Sequence, residues 1–395
     1  MSQPEFKSDS TGHGGTDRPR ARYVMVGGFL GAGKTTALGQ LGRYFSEKGL
    51  RVGLICNDQS TGLVDTAILR SKGFPVEEIT GGCFCCRFQS LVDAADGLTR
   101  DAAPDVFLAE PVGSCTDLVA TVSYPLRRIY GDRFTVAPLS VLVDPARAMR
   151  LFGLVETGKS FSEKVTYVYR KQLEEADIIV LNKADAHPAE ALEQLADRMR
   201  EEFPGKTILT GSAKEGSGLD DWFQRIADSA QGDAPALEID YDIYAEGEAL
   251  LGWLNCTVRL ESDTPFDANR SLVRLTGDLR DRIAARAGGD IAHLKMTLDS
   301  EDGTGSLSVV SLVRNDDEPD LRESLLDLVD GGSLVINLRA EVDPEHLAED
   351  VKAAIASLAE REPGLRATLE HLEQLRPGRP VPTHRMAPLG GDATP

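Results

Sequence analysis

The chain has 395 residues, 41% hydrophobic and 27% charged, with a formal net charge of −20. That length exceeds one ordinary domain and predicts two, with ample core material. The charge argues against a nucleic-acid partner, whose phosphates it would repel, and no apolar run approaches the ~20 residues that span a bilayer, so no membrane partner is expected.

In chain order, residues 1–20 are polar, lack a hydrophobic signal core and read as a disordered tail, with the cytoplasm as the expected compartment. Residues 21–230 alternate strand-like and helix-like segments. Tyr23–Val26 reads as a buried strand and runs into Gly28-Phe29-Leu30-Gly31-Ala32-Gly33-Lys34-Thr35, a complete phosphate-binding loop. Gly28, Gly31 and Gly33, with Ala32 between them, let backbone N–H groups turn inward around a β-phosphate. Lys34 brings a point charge to the β/γ-oxygens, and Thr35 offers a hydroxyl to Mg²⁺. Thr36 opens a helix reaching Ser46, with Leu38, Leu41 and Phe45 on one face. A nucleoside triphosphate is the expected ligand.

After the strand Val52–Cys56 comes Gly81-Gly82-Cys83-Phe84-Cys85-Cys86, which holds three of the six cysteines within four residues. In a cytosolic chain such clustering points to metal rather than disulfides. Glycines permit the bend that lets Cys83, Cys85 and Cys86 converge. Soft thiolates select Zn²⁺, Cu(I) or similar ions over Mg²⁺, and three protein ligands leave a fourth position open. The bland alternative is buried structural thiols. The cluster lies between the 57–65 loop and the Glu110–Gly113 loop, segments of the kind that rearrange in nucleotide switches when a γ-phosphate is lost. Metal affinity is therefore expected to differ between GTP and GDP states. Glu110, ending the strand Val106–Ala109, is placed to hold Mg²⁺ or its water, and the Gly113 N–H to sense the γ-phosphate.

Strands at Leu139–Val143, Ile178–Leu181 and Thr207–Leu209, with helices at Phe88–Thr99, Ser162–Glu175 and Ala189–Phe203, complete an α/β fold. It is a P-loop NTPase sheet, mostly parallel, helix-covered on both faces, with its ligand at the carboxyl ends of the strands. Asn182-Lys183-Ala184-Asp185 follows one strand, where Asp185 accepts from the ring N–H and exocyclic amine of guanine, a pairing adenine does not offer. Ser212-Ala213-Lys214 follows the next, where a backbone N–H meets the base. GTP is the expected nucleotide.

Residues 231–248 shift to an acidic, Gly/Pro-containing composition and read as a linker. In 249–375 the elements are a strand at Trp253–Leu260, a helix at Asn269–Ala285 and a hairpin of Ala292–Leu298 with Ser306–Val313. A helix at Leu321–Leu328, a strand at Ser333–Leu338 and a helix at Pro344–Ala359 follow. The order β-α-β-β-α-β predicts a ferredoxin-like α+β domain. Residues 376–395, rich in proline, read as a loose tail.

Taken together, Gly28–Thr36 (GFLGAGKTT), Gly82–Cys86 (GCFCC), Glu110–Gly113 and Asn182–Asp185 resemble, in their order, the CobW family of GTPases, relatives of the urease and hydrogenase maturation GTPases. The resemblance covers about residues 21–225. It implies GTP hydrolysis with Mg²⁺, coupled to delivery of a metal, most often zinc and sometimes cobalt for cobalamin synthesis, to a client protein. It also implies that Cys83, Cys85 and Cys86 ligate that metal, that the client docks in part through the C-terminal domain, and that a homodimer is possible. Three departures stand out. The family's Phe-Gly-Glu is replaced by Gln59-Ser60-Thr61, which removes the acid expected at Thr61, although Asp65 keeps the family aspartate. The loop after Glu110 reads Pro111-Val112-Gly113-Ser114-Cys115, so Cys115 is an extra thiol and a candidate fourth ligand, and Asp117 stands where a proline is usual. The six histidines, His293 among them, are scattered and read as ordinary surface or core residues. The rival readings are a small-molecule kinase, which would pass the γ-phosphate to an acceptor other than water, and a metal sensor with negligible turnover.

Overall fold

The computed structural model describes residues 19–58, 64–155 and 161–388; the expected N-terminal tail, Thr61 and residues 389–395 lie outside them, residues 19 and 20 apart. The first part of the chain forms β1 (Ala21–Gly28), α1 (Lys34–Glu47), β2 (Val52–Asn57), α2 (Val64–Ser71), β3 (Val76–Ile79), α3 (Phe88–Asp101) and β4 (Val106–Glu110). It continues with α4 (Tyr124–Ile129), β5 (Phe134–Val136), β6 (Ser140–Val143), α5 (Pro145–Leu151), α6 (Glu163–Glu175), β7 (Ile178–Leu181), α7 (Ala189–Glu202), β8 (Thr207–Thr210) and α8 (Asp220–Asp228). The strands make one parallel sheet in the order β3-β2-β4-β1-β6-β7-β8, with β5 beside β1.

Strand β1 shows why this sheet is buried on both faces. Val24 and Val26 join Leu38 and Leu41 of α1 in one core, while Tyr23 and Met25 point into the other with Phe107 and Leu91. A period of two therefore satisfies two apolar layers, which demands a nearly continuous apolar run.

The second part comprises α9 (Tyr241–Leu250), β9 (Gly252–Phe266), α10 (Ala268–Ala285), β10 (Ile291–Asp299), β11 (Leu307–Leu312), β12 (Asp320–Glu323), β13 (Val329–Ala340), α11 (Pro344–Arg361) and β14 (Leu365–Leu375). Its sheet runs β12-β11-β10-β13-β9-β14, antiparallel throughout. Strands β10, β13, β9 and β14 carry the ferredoxin-like order, with α10 and α11 as its two helices and β11 and β12 added beyond β10. The elements that fill this order differ from the sequence expectation. Leu321–Leu328 is not helical: Leu326 is 98% exposed, and the Asn269 side chain pins the Leu325 backbone at both N–H (3.0 Å) and C=O (2.8 Å), bonds that hold it out of a helix. Segment 320–323 instead pairs with β11 at the sheet edge. The second helix is α11, and the fourth strand is β14, in which only Leu365 is buried and the residues give no clear apolar alternation.

Alternation on β9 and β10 divides the sheet into two faces. Leu254, Cys256 and Val258, with Leu294, Met296 and Leu298, pack under α10 and α11. The opposite face, bearing Trp253, His293 and Lys295, turns toward the nucleotide domain and lines the same cavity as its phosphate loop. Buried Arg339 clamps the contact. Its guanidinium lies 4.1 Å over the Trp253 ring, donates to Leu254 O (3.0 Å) and Asn255 Oδ1 (2.7 Å), and reaches Asp58 beyond β2 at 3.0 Å. Arg147 of α5 donates to the carbonyls of Ile291 (3.1 Å) and Ala292 (3.0 Å).

The segment read as a linker is irregular only to Asp240, whose side chain caps α9 by accepting from the N–H groups of Asp242 and Ile243. Helix α9 packs so closely on α6 that a Cβ on Gly247 would lie 2.5 Å from Lys164 O. Residues 376–388 have no regular structure, but their backbone is tied to the rest of the molecule, through Thr383 to Cys85 and through Met386 to Ala120.

Candidate nucleotide site and thiol cluster

The loop between β1 and α1 folds as a cradle because two glycines take left-handed backbone: Gly31 (φ +77°) and Gly33 (φ +92°). A Cβ on Gly33 would sit 2.4 Å from Asn182 Nδ2, and one on Gly31 would strike Val313 of the C-terminal sheet at 2.6 Å. Buried Lys34 donates to Gly28 O (3.0 Å) and lies 3.9 Å from Glu110 Oε1. Thr35 Oγ1 donates to Asp65 Oδ1 (2.6 Å) at the start of α2 and is 3.2 Å from Glu110 Oε1 at the end of β4.

Two carboxylates and one hydroxyl thus converge beside the lysine. Burial, then the Asp65 charge, pushes the Glu110 carboxyl up to about 7 against the pull of Lys34 and Lys295. Burial also works on Asp65, but Lys295, His293 and the Thr35 hydrogen bond together hold it below the usual carboxylate range. Glu110 Oε2 is buried with no hydrogen-bond partner among the described residues, as are Asn57 Oδ1 and His293 Nε2. Hard oxygen donors with an orphaned carboxylate oxygen suit Mg²⁺ or one of its waters. A cavity of about 260 Å³ opens here, lined by Lys34, Thr35, Glu110 and Gly113 and, from the C-terminal sheet, by His293 and Lys295.

On the base side, Asn182 ties three loops together. Its Nδ2 donates to Ala32 O (2.8 Å) in the phosphate loop, and its Oδ1 accepts from the Ala213 N–H (2.9 Å). Lys183, in left-handed backbone (φ +58°), pairs with buried Asp144 at 2.6 Å. Asp185 is exposed and accepts at Oδ1 from the Ser212 hydroxyl 2.5 Å away; Lys214 stands with Lys183 and Asp185 around an open hollow. Thr36 continues α1. The nucleotide residues expected from sequence therefore sit on neighbouring loops at the carboxyl ends of β1, β4, β7 and β8.

The thiols form the second group. A tight turn, with the N–H groups of Cys86 and Arg87 bonded to Cys83 O, brings the three sulfurs together: Cys83–Cys85 2.8 Å, Cys83–Cys86 3.1 Å, Cys85–Cys86 3.7 Å. They are a candidate metal-binding group. Zn–S bonds of ~2.3 Å in a tetrahedron set sulfurs about 3.8 Å apart, so the fit requires two edges to open by under ~1 Å. Buried Cys115 lies near this group without being one of the three converging sulfurs; interactions with the Cys115, Cys85 and Cys86 thiols hold the Cys83 thiol well below its ordinary value. The same contacts and burial push Cys85 and Cys115 up, and the Cys83 contact pushes Cys86 up to about 11. Under the cluster lie buried Glu248, accepting from Ser114 Oγ at 2.5 Å, and Tyr244 of α9. Over it lies the C-terminal segment, with the Val381 N–H donating to Cys86 Sγ (3.3 Å) and Thr383 bonded to the Cys85 and Cys86 carbonyls.

Two connections join the groups. The 110–117 loop starts at Glu110 and reaches Cys115, and Gln172 of α6 grips it by donating to Gly113 O (3.0 Å) and Cys115 O (2.8 Å). Asn57, ending β2 beside the nucleotide cavity, donates to Gly82 O (2.7 Å) immediately before the first cysteine. Sequence reasoning missed the C-terminal residues at the cavity, Lys295 and His293. His293 is neither a plain surface nor a plain core residue: it lines the cavity, and burial, then Lys295, holds its imidazole well below its ordinary value. The signal was the His293-Leu294-Lys295-Met296 alternation, polar groups on the face opposite the core.

A phosphate loop after the first strand of a parallel sheet, with Thr35, Asp65 and Glu110 beside its lysine, defines a P-loop nucleotide-binding protein. Residues 22–210 match the family model for the CobW/HypB/UreG nucleotide-binding domain, so this part of the chain is similar to the nucleotide-binding domain of the CobW GTPases. Among curated relatives it is 27% identical over 214 residues to a zinc chaperone CobW of Sinorhizobium sp, covering 49% of this chain and 59% of that protein. It is 29% identical over 194 residues to the zinc chaperone YeiR of Escherichia coli (strain K12), covering 48% and 55%. The chain thus spans a little over half the length of these relatives. The Zn(II)-bound YjiA GTPase of E. coli aligns over 86% of this chain and 99% of its own at 17% identity, with a TM-score of 0.37. No helix among the described residues is long and apolar enough to cross a membrane.

Proposed function

We propose that this protein is a GTP-hydrolysing metallochaperone that carries a thiophilic ion, zinc first and cobalt second, on Cys83, Cys85 and Cys86 with Cys115 as fourth ligand. It passes the ion to a client protein in the cytoplasm, which docks in part on the C-terminal domain; self-association into a homodimer is compatible with this scheme. The loop that begins at Glu110 in the phosphate site and ends at Cys115 beside the sulfurs is the observation that carries the reading, because one movement then acts on both. The curated relatives named zinc chaperones support zinc as cargo.

In this mechanism Lys34 and the loop amides hold the β- and γ-phosphates, and Asp185, with Lys214 beside it, selects guanine. Thr35, Asp65 and Glu110 hold Mg²⁺, which when bound neutralises charge on the phosphates. Water attacks the γ-phosphorus, the bond to the bridging oxygen breaks, and GDP and phosphate are released. The Gly113 N–H loses its γ-phosphate acceptor, the 110–117 loop relaxes, and Cys115 withdraws from the sulfur cluster, weakening the grip on the ion.

A zinc titration of the protein loaded with GDP or a non-hydrolysable GTP analogue tests this. Tighter zinc binding in the GTP form is expected, abolished when Cys83, Cys85 and Cys86 are serine. Equal affinity in both forms would remove the delivery mechanism. Phosphate release measured with and without Zn²⁺ separates the reading from a metal sensor that does not turn over.

A further inference from the structure

Lys295 is a C-terminal-domain residue at the heart of the nucleotide site. It stands on β10 with His293 on the face opposite Leu294 and Met296, and its Nζ hydrogen-bonds Asp65 Oδ1 and lies 3.4 Å from Thr35 Oγ1. Asp65 and Thr35 are two of the three groups whose oxygens suit Mg²⁺, and Lys295 also bears on the charge of the third, Glu110.

We propose that Lys295 is a stand-in cation: it fills the Mg²⁺ place of the phosphate loop in the empty protein and moves to the γ-phosphate when Mg·GTP binds, tying the C-terminal sheet to the nucleotide state. This rests on the guanine-nucleotide reading above. A divalent ion on Thr35 and Asp65 cannot share those oxygens with an ammonium, since at such separations two like charges repel by several kcal/mol even in a partly solvated site. The displaced ammonium needs an anion within reach of its four-carbon stem. The γ-phosphate supplies one, because Lys295, Lys34, Thr35 and Gly113 line a single cavity. GDP offers no such group, so the sheet is held differently in the two states.

The surroundings suit a transmitted movement. Gly31 of the phosphate loop packs on Val313, and a Cβ there would also lie 3.2 Å from Ala292 O, so loop and sheet are in direct contact. Arg147 holds the Ile291 and Ala292 carbonyls at the start of β10, a second attachment of the strand that carries Lys295 to the nucleotide domain. Notably, a cation that stabilises the γ-phosphate from another domain is the role an arginine finger plays elsewhere, here supplied within the chain.

The test compares the wild type with Lys295→Met and Lys295→Arg in titrations with fluorescent GDP and a fluorescent non-hydrolysable GTP analogue across a range of Mg²⁺ concentrations. For Lys295→Met, at least tenfold weaker binding of the GTP analogue is expected, with GDP affinity changed less than threefold. The Mg²⁺ concentration for half-maximal GDP binding falls several-fold, because the competing cation is gone; Lys295→Arg restores most of the preference for the triphosphate. Equal effects on both nucleotides, or an unchanged Mg²⁺ requirement, overturn the proposal. A wild type that binds neither guanine nucleotide overturns the underlying reading instead, and should the Met variant unfold, Lys295→Gln gives the same comparison.

Discussion

The molecule holds two clusters of ligand-type side chains close together, and they are compensated in opposite ways. Around Thr35, two carboxylates meet two lysines, so the oxygen cluster is nearly neutral before any ion arrives, with Glu110 Oε2 the oxygen left without a partner. Around Cys83, four thiols lean mainly on one another, and for most of them the protons stay on. A site that contains its own cation exchanges one positive charge for another on binding. A site that contains only thiols must lose protons to bind, which couples its affinity to pH and leaves it unsatisfied between loads. This contrast suits a resident Mg²⁺ on one side and transferable cargo on the other.

The harshest way to break the contrast is to remove the sulfurs. With Cys83, Cys85 and Cys86 all serine, zinc affinity measured against a competing chelator should fall by at least ~10³-fold, since thiolate ligation is where the binding free energy resides. Guanine-nucleotide affinity should stay within threefold. A comparable loss of both would mean the clusters are one structural unit.

pH sharpens it further. Cys85, Cys86 and Cys115 sit above their ordinary values in the metal-free protein while Cys83 sits below, so zinc binding by all four should release about three protons. Because the protonated thiols predominate below the raised values, zinc affinity rises with pH, by up to ~1000-fold per unit between pH 6 and 8. The oxygen cluster has one comparable group, Glu110, at about 7. Mg²⁺-dependent nucleotide binding should therefore weaken below pH 7 by no more than tenfold per unit and be flat above it. Parallel pH profiles for the two ions would erase the distinction.

In the metal-free protein the order of sensitivity reverses. Asp65→Asn leaves Lys295, about one-fifth exposed, without its carboxylate, and should cost about 2 kcal/mol in denaturant unfolding, allowing for partial solvent screening. Cys86→Ser, at a half-buried thiol without a charge partner, should stay within ~0.5 kcal/mol. Excess Mg²⁺ and nucleotide should recover part of the Asp65→Asn loss, through linkage.

How legible each cluster was in the sequence follows the same division. The phosphate loop, Asn182–Asp185 and the three close cysteines are local motifs, and a parallel sheet is written as apolar runs, so the nucleotide domain could be read almost element by element. The connections between clusters depend on contacts distant in sequence: Gln172 to Gly113, Lys295 to Asp65, Val381 to Cys86. Nothing local marks them. In the C-terminal domain an antiparallel sheet with two helices was legible but the expected run of elements slipped, because Leu326 and Leu328 imitate a helical face although both are exposed, and the edge strand β14 lacks alternation. Strands β3 and β5 escaped for a related reason: Val76-Glu77-Glu78-Ile79 and Phe134-Thr135-Val136 lack the apolar run that marks the equally short β6 and β7.

The smallest expected effect concerns the C-terminal segment, which sequence composition read as loose. Its backbone donates to Cys86 Sγ and Cys85 O, its Thr383 hydroxyl donates to Cys86 O, His384 meets the Phe88 ring edge-on at 5.1 Å, and Arg385 pairs with buried Asp117 at 2.8 Å. These contacts all cover the thiol turn and none reaches the oxygen cluster, so the segment shields one cluster selectively. An N–H donated to a sulfur favours thiolate over thiol, and a cover slows the approach of a competing ligand. Removing residues 379–395 should therefore speed zinc transfer to a chelator about tenfold, a barrier change of about 1.4 kcal/mol, comparable to one or two of the lost hydrogen bonds. Nucleotide affinity should not move. If transfer is unchanged, the segment is packing and nothing more; if it slows, the chelator reaches the ion only through the segment, and a client would have to engage it directly.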